Sequence, residues 1–344
     1  MNPKKKKIIS LISGLLLCMA VFAAYKFYQY FYAPNTNVTK SGFFYIPTGA
    51  GINDIFDILE NQDIIVDMNT FKRAAHFLKF NRAKPGRYKI IKRMNNKALI
   101  NMLRSGNQST VRITFAGNIR SNEKIASIAA RYLETDSASI SRALNDNDFL
   151  SKFGFDNKTV TGMFIPNTYE MYWNTDSYAF IERMYKEYKK FWNDRRMAKL
   201  QQIGLTQNEA SVLASIVAEE TNIVSEMPVI AGVYINRIKS GMLLQADPTV
   251  KFAIGDFSIR RVLNRHTDYD SPYNTYKYKG LPPSPICMPS IAAIDAVLNY
   301  EHHDYYYFCA KDDFSGKHSF AKTLAQHNQN AKAYQQALNS RNIR

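Results

Sequence analysis

Eighteen consecutive uncharged residues, Ile8 to Tyr25, follow directly on Lys4-Lys5-Lys6-Lys7, and no other feature restricts the chain as strongly. As a helix rising 1.5 Å per residue the run extends about 27 Å, close to the ~30 Å hydrocarbon core of a bilayer. Lys26 closes it, and the ring faces of Phe27, Tyr28, Tyr30, Phe31 and Tyr32 continue it as an interfacial belt. Four lysines before the span against one just after it put the N-terminus in the cytoplasm and the rest of the chain outside. Val21-Phe22-Ala23 offers small residues for a cleaved leader, and Leu15-Leu16-Leu17-Cys18 has the outline of a lipoprotein site. The run is longer than an ordinary leader core, and Leu17 is too bulky before that cysteine, so a retained anchor is expected. The tail is then 1–7, the span 8–28, and residues 29–40 a polar, unpatterned linker.

Lys+Arg number 45 against 29 Asp+Glu, a net charge of +16, and residues 1–40 hold six lysines and no acid. Such an excess suits nucleic acid, an anionic membrane surface or an acidic wall polymer. Placement outside the cytoplasm removes nucleic acid and leaves lipid head groups or wall polymer. A hydrophobic fraction of 46% is enough to bury a core, so wholesale disorder is excluded. Three cysteines and no C-x-x-C pair exclude a disulfide framework and a zinc ribbon. In His302-His303-Asp304 adjacent side chains point in different directions, so this segment reads as an exposed loop rather than a metal site.

Residues 41–108 read as a small mixed unit. Phe43 to Pro47 is strand-like, and Ile52, Ile55, Phe56 and Leu59 form a helical stripe. A second helix follows around 71–78, then a Pro85-Gly86 turn, a strand over 87–91 and a third helix ending at Gly106. Eleven basic side chains face five acidic ones over 41–107. In 109–205, Val111 to Phe115 alternates as a strand. Helices are expected near 121–133, 138–146 and 177–200, the last strongly charged and solvent-facing. The aromatic stretch 162–173 between them reads as a loop.

Chemistry concentrates in 206–344. Thr206-Gln207-Asn208-Glu209 is a capping box that opens a helix running to Thr221. At about 100° per residue, Ile216, Val217 and Glu220 fall within about 60° of Leu213, whereas Glu219 lies about 120° away. Glu220 therefore continues the apolar stripe. A carboxyl on that face is costly unless paired or protonated, and burial raises its pKa toward what a general acid needs. Fraying of the helix end, or pairing with Arg237, is the alternative. A second helix lies between Ser225 and Gly241. Beyond it, Gln245, Asp247, Tyr273, Asn274 and Tyr276 combine amides, a carboxylate and flat rings, the partners a saccharide requires. A plain loop with Asp247 capping a turn is the competing reading.

Ala214-Ser215-Ile216-Val217 with Glu220-Thr221, Tyr234-Ile235-Asn236-Arg237, Gly241-Met242 with Leu244-Gln245 and Asp247-Pro248-Thr249, Tyr273-Asn274-Thr275-Tyr276, and Gly280-Leu281-Pro282-Pro283 together resemble the YceG-like family. The resemblance covers nearly the whole chain. Pro85-Gly86-Arg87-Tyr88 is similar to the end of the family's LysM-like subdomain, and Phe164 to Tyr169 to its Pro-Asp-Thr-Tyr segment. It implies an α+β fold with a transmembrane helix, a LysM-like α/β subdomain at 41–108, an intermediate part at 109–205 and a mixed α+β catalytic part at 206–344. The implied activity is that of a membrane-anchored endolytic lytic transglycosylase of the wall. Such an enzyme cleaves the β-1,4 bond from N-acetylmuramic acid to N-acetylglucosamine within glycan strands and leaves 1,6-anhydro ends, as a terminator of nascent strands.

The family's catalytic glutamate falls on Glu220, and the resemblance adds Thr249 to the expected substrate-binding residues. Where the family has Glu-Lys-Glu-Thr this chain has Ala218-Glu219-Glu220-Thr221, and Asn167 replaces an Asp. No metal or organic cofactor is implied. The implied partners are glycan strands, the plasma membrane and peptidoglycan synthases. Two alternatives stay open: a muramidase using Glu220 and Asp247, and a non-enzymatic wall-binding anchor. Pairing of Cys287 with Cys309 in an oxidising compartment is also open.

Overall fold

The computed structural model describes residues 3–37, 42–91, 93–117 and 119–341. The architecture is mixed α and β, in two compact units. One comprises 1–112 with 132–134 and 170–175, the other 113–131, 135–169 and 176–344.

In the first unit, α1 (Pro3–Phe31) is a continuous 29-residue helix, long and apolar enough to cross a membrane. Its side chains are exposed from Pro3 to Tyr25, and in the last turn Phe31 is buried and meets Phe77 edge-on at 6.1 Å. Asn96 Nδ2 donates to the Tyr30 carbonyl at 2.9 Å. The helix therefore outlasts the expected span. The stretch after it is no free tether. Asn35 Nδ2 reaches Asn96 Oδ1 at 2.7 Å, and Asn35 Oδ1 accepts from the Asp67 N–H at 2.8 Å. Thr36 makes a bridge to Ile65. These polar side chains satisfy buried backbone groups, which composition alone does not reveal. Residues 38–40 of the expected linker lie outside the described residues.

Next come β1 (Phe43–Ile46), α2 (Ile52–Asn61), α3 (Met68–Phe77), β2 (Gly86–Lys89) and α4 (Asn96–Ser105). β1 and β2 pair antiparallel with Phe44 opposite Tyr88. Asp67 and Asn95 cap α3 and α4 through the Thr70 and Ala98 N–H groups. Gly106, at φ 74°, ends α4 in the left-handed conformation glycine adopts without strain. Phe44, Ile46, Ile55, Leu59, Phe71, Leu99 and Ile100 are fully buried together, each such side chain contributing about 1.5–3 kcal/mol.

β3 (Thr110–Phe115) alternates exposed and buried residues as expected. α5 (Asn122–Ala130), α6 (Ser137–Leu144) and α7 (Asn147–Ser151) follow, then a short 3-10 turn at Val160–Met163. The stretch expected to be a loop closes in β4 (Asn167–Tyr172), which pairs with β3. The Thr114 and Thr168 hydroxyls bond across that pair at 2.8 Å. The single charged helix expected over 177–200 is two helices, α8 (Ser177–Phe191) and α9 (Asp194–Ile203). Asn193 breaks it by accepting from the Arg196 N–H. Nor does it face only solvent, since Phe180, Ile181, Met184, Tyr188 and Leu200 are buried.

α10 (Gln207–Glu220) opens on the expected capping box of Thr206 and Glu209. It packs against α9, and against α11 (Met227–Lys239), α12 (Asp247–Ile254) and, beyond the short α13 (Asn264–Thr267), α14 (Ile291–Leu298). Gly232 lets α11 lie directly on the 301–303 segment, because a Cβ there would sit 2.4 Å from the Glu301 carbonyl oxygen. β5 (Tyr307–Ala310) and β6 (His318–Ala321) form an antiparallel hairpin, and α15 (Leu324–Ser340) packs on both.

Candidate active site

Every residue of α10 from Ala210 to Val217 is buried, so this helix has no solvent face between its first and last turns. There Glu219 and Glu220 diverge. Arg120 Nη2 lies 2.6 and 2.8 Å from the two Glu219 oxygens, and its guanidinium also covers the Phe257 ring at 4.3 Å. Glu220 faces the other way and receives the Tyr234 hydroxyl of α11 at 2.7 Å. Arg237 does not pair with it. That buried guanidinium donates to the Tyr306 carbonyl at 2.6 Å and the Leu244 carbonyl at 2.7 Å, bracing two walls of one cleft.

The cleft has a volume of about 420 Å³ and is lined by Glu220, Tyr234, Arg237, Gln245, Asp247 and Tyr276. Tyr307, Phe308, Cys309 and His318 of the β-hairpin and His327 of α15 complete it. A second cleft, of about 520 Å³, runs along the end of α10 from Ala218 to Ile223 and again meets Glu220 and His318. Glu220 is half-buried: protein surrounds it on most sides, and the clefts expose the remainder.

That setting pushes the Glu220 carboxyl up from 4.5 to about 7. Desolvation is the main cause, and the negative charge of Asp247 adds to it. The Tyr234 hydrogen bond, Lys251 and Arg237 act in the opposite direction. Tyr234 in turn is held well above its ordinary value, first by burial and then by Glu220, so it stays a donor. Burial, then the hydrogen bond to Asp247 at 2.6 Å, keeps Tyr276 protonated as well. The arrangement is a carboxylic acid that keeps about half its protons at neutral pH, beside a second carboxylate that is tied to a phenol. It can donate a proton and then hold a negative charge.

The expected substrate-binding residues divide. Asp247 and Tyr276 line the cleft beside an exposed Gln245, whose backbone sits at φ 49°, a strained conformation for a non-glycine residue. Thr249 and Asn274 are fully buried and do not line it. Thr249 Oγ1 bonds the Ala246 carbonyl at 2.7 Å and the Thr275 hydroxyl at 2.8 Å. Asn274 Nδ2 donates to the Thr267 and Tyr269 carbonyls. Both shape the loop that carries Gln245 and Tyr276. Tyr273 also stands off the cleft, with its hydroxyl 2.6 Å from that of Ser284 and its ring 4.9 Å from Phe252.

Sequence reasoning missed Tyr234, Phe308, His318 and His327 as cleft residues. Only Tyr234 carried a signal, as a polar-tipped ring on an otherwise apolar helix face. Cys287 and Cys309 are both free thiols, and Cys287 Sγ lies 3.6 Å from the Ser215 carbonyl. Both ring nitrogens of His303 are engaged, by the Val229 carbonyl and the Tyr305 N–H. Asn167, the departure from the family pattern, uses its side-chain oxygen on the Thr168 N–H.

Residues 44–333 match the profile of the YceG-like family. An endolytic murein transglycosylase of Bacillus subtilis is 29% identical over 315 residues, spanning 86% of this chain and 85% of that protein. An endolytic murein transglycosylase of Streptococcus pneumoniae is 27% identical over 83% of this chain, which spans only 57% of that longer protein. The crystal structure of a YceG-like protein of Listeria monocytogenes aligns with a TM-score of 0.55 at 26% identity, covering 83% of this chain and 98% of that one. With the family profile matched over most of its length, the chain belongs to the YceG-like family.

Proposed function

We propose that this protein is a membrane-anchored endolytic lytic transglycosylase that cuts peptidoglycan glycan strands, with Glu220 as its acid. The half-buried carboxyl at about 7, hydrogen-bonded to Tyr234 in an open cleft, carries the reading. Protonated Glu220 gives its proton to the glycosidic oxygen between N-acetylmuramic acid and N-acetylglucosamine. The muramyl C6 oxygen closes on C1 as that bond breaks, and its hydroxyl proton must leave. The smallest set of groups that completes the reaction is one carboxyl acting in turn as acid and base, whereas ordinary glycosidases use two. Gln245, Asp247 and Tyr276 hold the sugars so that the internal hydroxyl outcompetes water.

Asp247 in the same cleft favours one second reading, hydrolysis with Asp247 activating a water. The products discriminate. Digestion of purified sacculi by the full chain in detergent, followed by mass spectrometry, gives anhydro-muramyl ends for a transglycosylase and reducing ends for a muramidase. The Glu220→Gln variant, which keeps the shape and removes the acid, releases neither. Undiminished release by that variant overturns the assignment.

In the same proposal α1 is the anchor, with the tail at 1–7 in the cytoplasm and both units outside. Residues 41–108 are a LysM-like subdomain that grips glycan, a reading supported by the two antiparallel strands folded with α2 and α3. Residues 109–205 and 206–344 are the intermediate and catalytic parts. Peptidoglycan synthases are the proposed protein partners, consistent with an enzyme that acts on nascent strands.

A further inference from the structure

His318 was not anticipated from the sequence, yet it lines both clefts that meet at Glu220. It is the first residue of β6, and its side chain is only 13% exposed. Glu226, just before α11 and itself buried, holds it twice. One carboxylate oxygen accepts the His318 backbone N–H at 2.9 Å, and the other lies 3.0 Å from Nδ1. An ionised carboxylate only accepts, so the proton of the neutral ring sits on Nδ1 and the lone pair on Nε2. Among the described residues no hydrogen-bond partner is found for Nε2. Phe308 packs edge-on against the imidazole at 5.3 Å and against Tyr234 at 5.9 Å, locking the ring beside the Glu220–Tyr234 pair.

We propose that His318, oriented by Glu226, is the base that takes the proton of the attacking C6 hydroxyl, so that Glu220 acts as acid alone. The proposal rests on the transglycosylase reading and adds a second proton-handling group to it. As O6 bonds to C1, its hydrogen passes to Nε2. The C1–oxygen bond to the neighbouring sugar breaks, and that oxygen receives the Glu220 proton. The imidazolium is stabilised by the Glu226 carboxylate, as a buried carboxylate stabilises the histidine of a serine-protease triad. After product release the proton returns through solvent from His318 to Glu220, which restores the starting state.

Besides Glu226, the charged and titratable groups sharing its clefts are the carboxyls of Glu219, Glu220 and Asp247, the Arg237 guanidinium, the phenols of Tyr234, Tyr276 and Tyr307, the Cys309 thiol and the His327 ring. The alkaline limb of activity on sacculi follows ionisation of Glu220. The test uses the full chain in detergent with purified sacculi. His318→Gln is expected to lower kcat about 10²-fold or more with KM unchanged and the alkaline limb in place. Glu226→Gln lets the amide donate to Nδ1, which moves the ring proton to Nε2, and is expected to reproduce the loss with sacculus binding intact. Melting curves show whether either variant is folded, and each folded variant decides alone. A parental kcat in either folded variant overturns the role of His318. Undiminished cutting by Glu220→Gln instead overturns the reading beneath it.

Discussion

The surroundings of Glu219 and of Glu220 make opposite uses of the same side chain, one residue apart on α10. Around Glu219 a guanidinium neutralises the carboxylate at 2.6 Å, and the pair ties α10 to the segment after β3. Around Glu220 no cation pairs among the described residues, a phenol donates, and desolvation lifts the carboxyl to about 7. The contrast teaches that chemistry is assigned here by which partner is withheld. A carboxylate given its arginine is a fastener, and one denied it keeps its proton to higher pH.

The sharpest way to break the comparison is to exchange the losses. Glu220→Gln should lower sacculus cutting by about 10²–10⁴-fold, the range of a general acid. Glu219→Gln should leave cutting within a few-fold of the parent and act on stability instead. Losing a charge-assisted pair that is only partly exposed should cost about 1.5–3 kcal/mol, read by denaturant unfolding. Were Glu219→Gln the inactive variant and Glu220→Gln merely unstable, the roles would be reversed.

The third prediction concerns pH. The Glu220 carboxyl titrates near 4.5 when unfolded and near 7 when folded. Below about 4.5 it is protonated in both states and carries no penalty. As pH rises toward 7 the unfolded chain alone ionises, so the folded state loses up to about 3 kcal/mol, less where the cleft admits solvent. Glu220→Gln should therefore match the parent in melting temperature at pH 4 and exceed it increasingly up to pH 7. A gap that does not vary with pH contradicts a raised value. The smallest effect is expected from Tyr234→Phe. It removes the hydrogen bond that opposes desolvation, so the alkaline limb of activity should move up by a fraction of a pH unit. A downward shift would mean that Tyr234 favours the protonated acid.

Several elements were legible because their determinants are local. The Thr206–Glu209 box opens α10 where expected, Gly106 ends α4, and β3 alternates exposed and buried residues. The break between α8 and α9 was hidden because the helical pattern continues on either side of Asn193, and a cap acts through backbone geometry. Thr249 and Asn274 were expected at the substrate because they are polar in a motif-rich stretch. Burial has turned both inward, where backbone carbonyls satisfy them. Helical periodicity singles out Glu220, yet α10 is buried all round from Ala210 to Val217, so a wheel alone does not separate a core face from a cleft face.

By itself the sequence determined the apolar N-terminal helix, most of the helices and strands as far as α11, and the family. Each depends on neighbours within a few turns or on an ordered run of motifs. The tertiary structure alone decided that Arg120 reaches Glu219 and not Glu220, and that Tyr234 and Asp247 share a cleft with Glu220. It alone set Glu226 against His318, 92 residues further on. A carboxyl's pKa depends on the charges, donors and solvent within a few ångströms, and here the chain brings those from segments far apart in sequence.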